Sequence, residues 1–435
     1  MKHQFIAAAA ALLLGGCAPL PPHGGFGAET RVQRNEADQR ALASVLRERL
    51  ANEISANDVV EIALLNNRAL QARYWDLGIA EADLVQAGRL QNPAFGYKHM
   101  KDGGDVSLER TLTFNLVSLI TAPLAQRIEG RRFEQARFTV AAAALATATE
   151  AREAYYEAVA GAQGAAYAEQ VSAAAEASAE LAQRMQQAGN WSKYDAAREQ
   201  AYYADSMADV SRASRNAVAT REKLARVLGL DAVQIKLPER LPDLPAAAHQ
   251  LQDVEQAAMQ GRADIAAARL DTEATASSLG LTKTTRFVNV LEVGAVRERD
   301  GAARSRGYEI MLEIPLFDWG SARVARAEAV YMQAVNRLAD TAVHARSEAR
   351  ENYQAYQSAW TLARHYRDVV IPLRQQISQE TLLRYNGMLL SVFELLADSR
   401  EQTVAVNASI NALKEFWIAD ARLQAAIGGQ MGVKP

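Results

Sequence analysis

A single cysteine, Cys17, rules out an intramolecular disulfide and any thiolate metal cage. Aromatic residues make up only 7% of the 435. No apolar run reaches the ~18 residues of a spanning helix, so a helical membrane protein is not expected. Neither sign of charge prevails: 48 Lys and Arg against 51 Asp and Glu leave a net charge of −3, with a pI near 6.2. Without a basic footprint, nucleic acid is not an expected partner. The six histidines include no pair at metal-ligand spacing. His99-Met100 is the one adjacent soft-ligand couple and reads as a loop edge, while His344 and His365 fall in helical stretches. Phosphate loops, nucleophile elbows and zinc signatures are missing as well, which leaves no enzyme, metal or bound cofactor to expect.

What the chain does have is alanine. It is 49% hydrophobic and 23% charged, enough to bury a core. Its Ala-rich stretches read as closely packed coiled helices, because alanine favours the helix and lets backbones approach. At the N-terminus, Lys2 and His3 precede an apolar run over 5–14, too short to span a bilayer and right for a secretory signal. Leu14-Gly15-Gly16-Cys17 then resembles a bacterial lipobox. Residues 1–16 are therefore expected to be a signal peptide. Cys17, followed by Ala18 and not Asp, is expected to carry a lipid that anchors the protein to the cell outer membrane. A lipidated tether and N-terminal segment, 17–56, opens with the Pro/Gly-rich stretch 19–27.

Beyond the tether the chain says one thing twice. After Gly189 come Ser192, Asp195 and Leu228-Gly229; after Gly387 come Ser391, Glu394 and Ile427-Gly428. The offsets 391 − 192, 394 − 195 and 428 − 229 are each 199, whereas 387 − 189 is 198, which reads as one extra residue beside one turn. At the start of the copies, Asp58-Val59 with Ile62 and Ala63 is echoed by Asp253-Val254 with Ala257 and Ala258, an amphipathic helical spacing. A period near two hundred is too long for a solenoid unit, so it marks duplication of a structural half. The halves are 57–230 and 251–428, joined by the linker 231–250 with Pro238, Pro242 and Pro245, and followed by a tail, 429–435.

Each half carries a hairpin and a pair of long helices. Leu108, Leu112, Phe114 and Leu116 alternate with Glu109, Thr111, Thr113 and Asn115. Tyr308, Ile310, Leu312, Ile314 and Leu316 alternate with Glu309, Met311 and Glu313, which is the period of a half-buried strand. Upstream partners over 92–100 and 285–299 complete hairpins at 92–120 and 285–316. Four strands cannot close a barrel, and transmembrane barrels begin at about eight, so several chains would have to pool theirs. If Leu112 and Ile310 face lipid, Glu109, Glu309 and Glu313 line a lumen, and Phe95, Tyr97 and Tyr308 fit an aromatic girdle. A helix over 123–188, nearly 100 Å at about 1.5 Å per residue, turns at Gly189-Asn190 with Ser192 as N-cap and returns to Leu228. The second pair climbs over 321–384, turns at Asn386-Gly387 and returns from Ser391 to Ile427, with Pro372 expected to kink or interrupt it.

Pro315-Leu316-Phe317-Asp318-Trp319-Gly320, followed by Arg323, resembles the strand-to-helix junction in the second repeat of the TolC family of outer-membrane efflux channels. Gly387, Ser391 and Glu394-Leu395-Leu396 resemble that family's inter-helix turn, and Pro238, Pro242 and Pro245 its inter-repeat linker, so the likeness spans about 57–428. The resemblance implies an α+β, mainly α protomer. It implies a homotrimer whose twelve strands, four from each of three chains, form one transmembrane β-barrel continuous with a coiled-coil periplasmic tunnel. Such a channel passively conducts efflux substrates from an inner-membrane pump and a periplasmic adaptor to the exterior, and the pump selects them. On the same basis Arg184, Gly189, Ser192, Arg384, Gly387 and Ser391 mark the periplasmic tip and adaptor contact. Asp195, Glu394 and Asp398 are candidate acids around its aperture. Two departures stand out. From Ser118 to Arg132 is 132 − 118 = 14 residues against 323 − 315 = 8 from Pro315 to Arg323, which places six extra residues between the first strand and its helix. The second upstream strand opens with Arg286-Phe287 and lacks the proline of Asn92-Pro93. The rival reading is a periplasmic adaptor or coiled-coil scaffolding lipoprotein without a pore, but adaptors carry one helical hairpin between Gly-rich β domains, where this chain has two.

Overall fold

The computed structural model of the protein describes residues 46–103, 105–288 and 290–429; Cys17, the expected signal peptide, the Pro/Gly-rich tether and residues 430–435 lie outside them. In chain order the elements are α1 (Ala56–Asn66), α2 (Arg68–Ala87), β1 (Ala94–Asp102), β2 (Asp105–Asn115), α3 (Leu116–Gln187) and α4 (Lys193–Leu228). The second half has α5 (Val254–Gly261), α6 (Ala263–Thr285), β3 (Leu291–Asp300), β4 (Ala303–Leu312), α7 (Ser321–His365), α8 (Ile371–Asn386) and α9 (Val392–Ala426). None of the described helices is long and apolar enough to cross a membrane. Two compact units share the chain, and neither coincides with a repeat. One takes 72–141 with 263–342, and the other takes the described residues up to 71 with 142–262 and 343–429. Each unit thus draws on both copies.

The first unit holds the four strands, paired antiparallel in the order β1-β2-β3-β4. Both hairpins are shorter than the alternation of apolar residues implied. The strand ladder ends at Asn115, and Leu116–Ile120, expected in the hairpin, belong to the start of α3. Asn115 is the cause: its Oδ1 accepts the Ser118 N–H at 3.0 Å, and the Ser118 hydroxyl donates to the Asn115 carbonyl at 2.9 Å. That is an N-cap, and it starts a helix where the pattern still reads as strand. The six extra residues are therefore helix and not linker. The run 187 − 116 = 71 exceeds 386 − 321 = 65 by six, with Pro123 enclosed in α3. In the second copy Thr285 ends α6, so β3 starts at Leu291, and β4 stops at Leu312, before Ile314 and Leu316.

The segment that carried the family likeness is a turn. Gly320 adopts φ 73°, and its N–H donates to Asp318 Oδ1 at 2.8 Å. Arg323 donates to the Arg286 carbonyl at 3.1 Å, and Trp319 meets Phe287 edge-on at 6.2 Å. A Cβ at 320 would lie 2.7 Å from that same carbonyl, so glycine is the residue that fits.

The second unit is helical and built around alanine. Val59, Ile62 and Ala63 of α1 belong to one buried cluster with Ala151, Ala154, Tyr155 and Val159 of α3, Leu224 and Leu228 of α4, and Ile235. A second cluster is more aromatic, with Tyr356, Phe416, Leu423 and Ile427 buried and Trp360 and Trp417 half-buried. Tyr156 stacks on Trp417 at 5.4 Å. The proline linker is fixed here too: the indole N–H of Trp417 donates to the Pro242 carbonyl at 3.0 Å and that of Trp360 to Pro245 at 3.3 Å. Burial pushes the Tyr155 hydroxyl up to about 12 and holds the half-buried Asp420 carboxyl above its ordinary range.

Two helix ends add detail to the sequence pattern. Asp58 and Asp253 hold corresponding places, since 253 − 58 and 258 − 63 are both 195, but their capping roles differ. Ser55 is the N-cap of α1 and forms a capping box with Asp58, whereas Asp253 is itself the N-cap of α5. The Ser55 hydroxyl is the main reason the Asp58 carboxyl sits below its usual range. The helix C-termini do correspond, Asn67 bonding to Ala63 and Arg262 to Ala258, so α5 lacks the first turn of α1. Pro372 interrupts the α-helix between α7 and α8, as expected, without ending the helical run. Residues Tyr366–Val370 form a π turn, with the Ile371 N–H reaching back to Tyr366, and this wider turn absorbs the missing proline donor.

Candidate functional site

Two regions hold the candidate residues, and each is described on its own. In the sheet, antiparallel pairing puts partnered residues on the same side, so the registers sort every strand residue by face. One face collects Lys98, Glu109, Thr111, Thr113, Glu298, Gly294, Gly307 and Glu309. The opposite face collects Phe95, Tyr97, Leu108, Leu112, Phe114, Val293, Tyr308, Ile310 and Leu312. Glu109 and Glu309 are thus on the polar face as expected. Glu109 is paired with Lys98 at 4.0 Å, and Glu313 lies one residue past β4 with its N–H bonded to Val290 at 3.2 Å. Glu298, which the alternation did not single out, stands beside Glu109 in register. The apolar face is open: Phe95 is 68% exposed, Tyr308 81% and Ile310 60%. Among the described residues neither edge strand, β1 nor β4, has an outer partner.

The sheet also separates charge. The described carboxylates Glu109, Glu292, Glu298, Asp300 and Glu309 share the polar face, and every strand arginine (110, 297, 299, 304 and 306) lies on the apolar face.

In the helical unit, the two inter-helix turns are superimposable bond for bond. Gly189 donates to Gln186 and Asn190 to Met185; Met388 donates to Tyr385 and Leu389 to Arg384. The offsets 388 − 189, 389 − 190, 385 − 186 and 384 − 185 are all 199. No residue is inserted. The glycine has moved by one: the left-handed position is Gly189 (φ 80°) in one copy and Met388 (φ 57°) in the other, while Gly387 sits at φ −80°. Both turns are Schellman closures. Ser192 and Ser391 then cap α4 and α9, each hydroxyl accepting from the N–H three residues on.

That capping commits two of the three candidate acids. Ser192 donates to the Asp195 carboxylate at 2.6 Å, and Glu394 accepts from the Ser391 N–H at 2.9 Å. Asp398 is half-buried, and among the described residues its Oδ2 has no hydrogen-bond partner. Arg184 pairs with Glu180, Arg384 is exposed, and Trp191 of the first turn stacks on Phe393 of α9 at 4.5 Å. A buried polar contact near this end escaped the sequence reading. Glu199, 2% exposed, accepts from Arg400 at 2.7 and 2.8 Å and from the Ser178 hydroxyl at 2.9 Å. Arg400 also lies over the Tyr202 ring at 4.2 Å. A buried carboxylate held by an arginine 201 residues away leaves no periodic trace. No group of three metal-ligating side chains occurs among the described residues.

This duplicated arrangement of hairpin and helical coil is the protomer fold of TolC-type outer-membrane channels. No protein-family model matches the sequence and no curated protein matches it, but solved structures do. CusC, whose crystal structures concern folding and transmembrane channel formation, matches with TM-score 0.73 and 15% identity over 86% of this chain and 92% of its own. The outer-membrane channel OprN matches at 0.72, with 19% identity over 86% and 90%. The outer membrane protein VceC of Vibrio cholerae matches at 0.71, with 19% identity over 86% and 96%.

Proposed function

We propose that the chain is one protomer of an outer-membrane efflux channel. Three copies pool their strands into a closed barrel that leads into a periplasmic helical tunnel. The observation that carries this reading is the open four-stranded sheet, with an exposed apolar face, a polar face and two edges that have no outer partner among the described residues. In hydrocarbon an unpaired strand edge is prohibitively costly, so a sheet of this kind must close, and copies of the same chain supply the missing strands. Conduction then needs no chemistry. The barrel removes the bilayer's cost for a polar solute, and an inner-membrane pump docked through a periplasmic adaptor at the two helical turns delivers the solute. A covalent lipid on Cys17 would tether the N-terminus to the membrane.

The test is extraction and assembly. The protein should resist salt and carbonate, run as a trimer on unheated gels and give ion currents in planar bilayers. Release by carbonate with no trimer would instead favour a poreless adaptor or scaffold lipoprotein.

A further inference from the structure

We propose that the part of the sheet's apolar face nearest the hairpin loops is a binding belt for the phosphate groups of the lipid around the barrel; the inference rests on the membrane reading above. Arg110, Arg297 and Arg306 are directly paired across three adjacent strands, in one row with Tyr97. The next row toward the loops adds Arg299 and Arg304 beside His99 and Leu108, and Lys101 follows on β1. Away from the loops the same face turns apolar at once, through Leu112 and Tyr308 and then Phe114, Val293 and Ile310.

Three features point to a phosphate-bearing lipid. Like charges directly opposite on neighbouring strands repel, and three arginines in register are unfavourable unless an anion bridges them. No carboxylate among the described residues pairs with Arg110, Arg297, Arg304 or Arg306, which are all exposed, and the described strand acids lie on the other face. Position decides the source of the anion. A lipid-facing arginine is costly at the bilayer midplane and nearly free at the headgroups, so this belt fits only beside the lipid phosphates. Two same-face rows lie about 7 Å apart, which suits the roughly 5–8 Å of headgroup layer on either side of the hydrocarbon. Strands ~4.8 Å apart let one phosphate take guanidinium donors from two of them, and arginine's fork is shaped for that contact.

The experiment uses the full-length protein in detergent and in vesicles, with phosphatidic acid as the probe against phosphatidylcholine. Wild type should retain phosphatidic acid in native mass spectrometry and lose it in high salt. The R110Q/R297Q/R306Q variant should bind it about tenfold more weakly, and R110K/R297K/R306K should lose less. Lys98→Gln, which removes a cation from the other face, should leave binding unchanged. Displacement of the lipid by inorganic phosphate, or equal retention of both lipids by wild type, overturns the proposal, and the second comparison stands even if the triple glutamine variant fails to assemble. Unheated gels and channel currents report the membrane assembly separately. A conducting trimer without preference for phosphatidic acid overturns the belt alone, whereas protein released by carbonate overturns the reading beneath it.

Discussion

Met388 is the one described non-glycine residue with a positive φ, 57°, and it is 94% exposed. A left-handed conformation brings Cβ close to the following carbonyl and costs roughly 1–2 kcal/mol, and at this exposure little packing offsets it. The other copy puts Gly189 at the equivalent place. Met388→Gly should therefore stabilise the protein by about 0.5–1 kcal/mol after the extra freedom of an unfolded glycine is subtracted, seen as a higher denaturation midpoint in detergent. If the midpoint falls, Met388 makes a contact worth more than the strain.

At the level of elements, the turns show how much of this fold was written in local pattern. The helices, the hairpins and the repeat were legible because periodicity and glycine placement are local signals. Three kinds of feature were not. Asn115 is both the last strand residue and a helix cap, so alternation ran on through Leu116 after the backbone had changed state. Arg110 occupies an apolar-face position inside a greasy run and hides in it. The Glu199–Arg400 pair and the link from Arg152 to Gln424 join distant segments and depend on packing alone. The glycines that close the helices can be separated by the same physics. Gly428, at φ 81°, faces the Gly261 carbonyl, which a Cβ would approach to 2.2 Å, whereas Gly189 at φ 80° has nothing within 4 Å. Gly189→Ala should cost about 1 kcal/mol of strain. Gly428→Ala adds a backbone clash and should cost about 2–4 kcal/mol. Equal losses in denaturant melts of the two variants would mean that α5 moves aside freely from the end of α9.

For the whole molecule the decisive property is that the sheet divides charge as well as polarity. In the proposed trimer the polar face becomes the barrel lumen, and three copies of Glu109, Glu298 and Glu309 project into it. Lys98 offsets Glu109 at 4.0 Å, and Glu298 and Glu309 are two of the four described strand acids on this face, with Glu292 and Asp300, that no basic partner offsets. Rings of carboxylates in a pore favour cations. The effect should be largest at low ionic strength, where the screening length grows to about 30 Å at ~0.01 M, and should fade toward ~1 M salt, where it is near 3 Å. Reversal potentials across a salt gradient measure the preference directly. The E298Q/E309Q variant should reduce the cation-to-anion permeability ratio severalfold at low salt, while Lys98→Gln, by freeing Glu109, should raise it. Ratios that match wild type at every salt concentration would put these carboxylates outside the conducting path, and the polar face could no longer be assigned to the lumen.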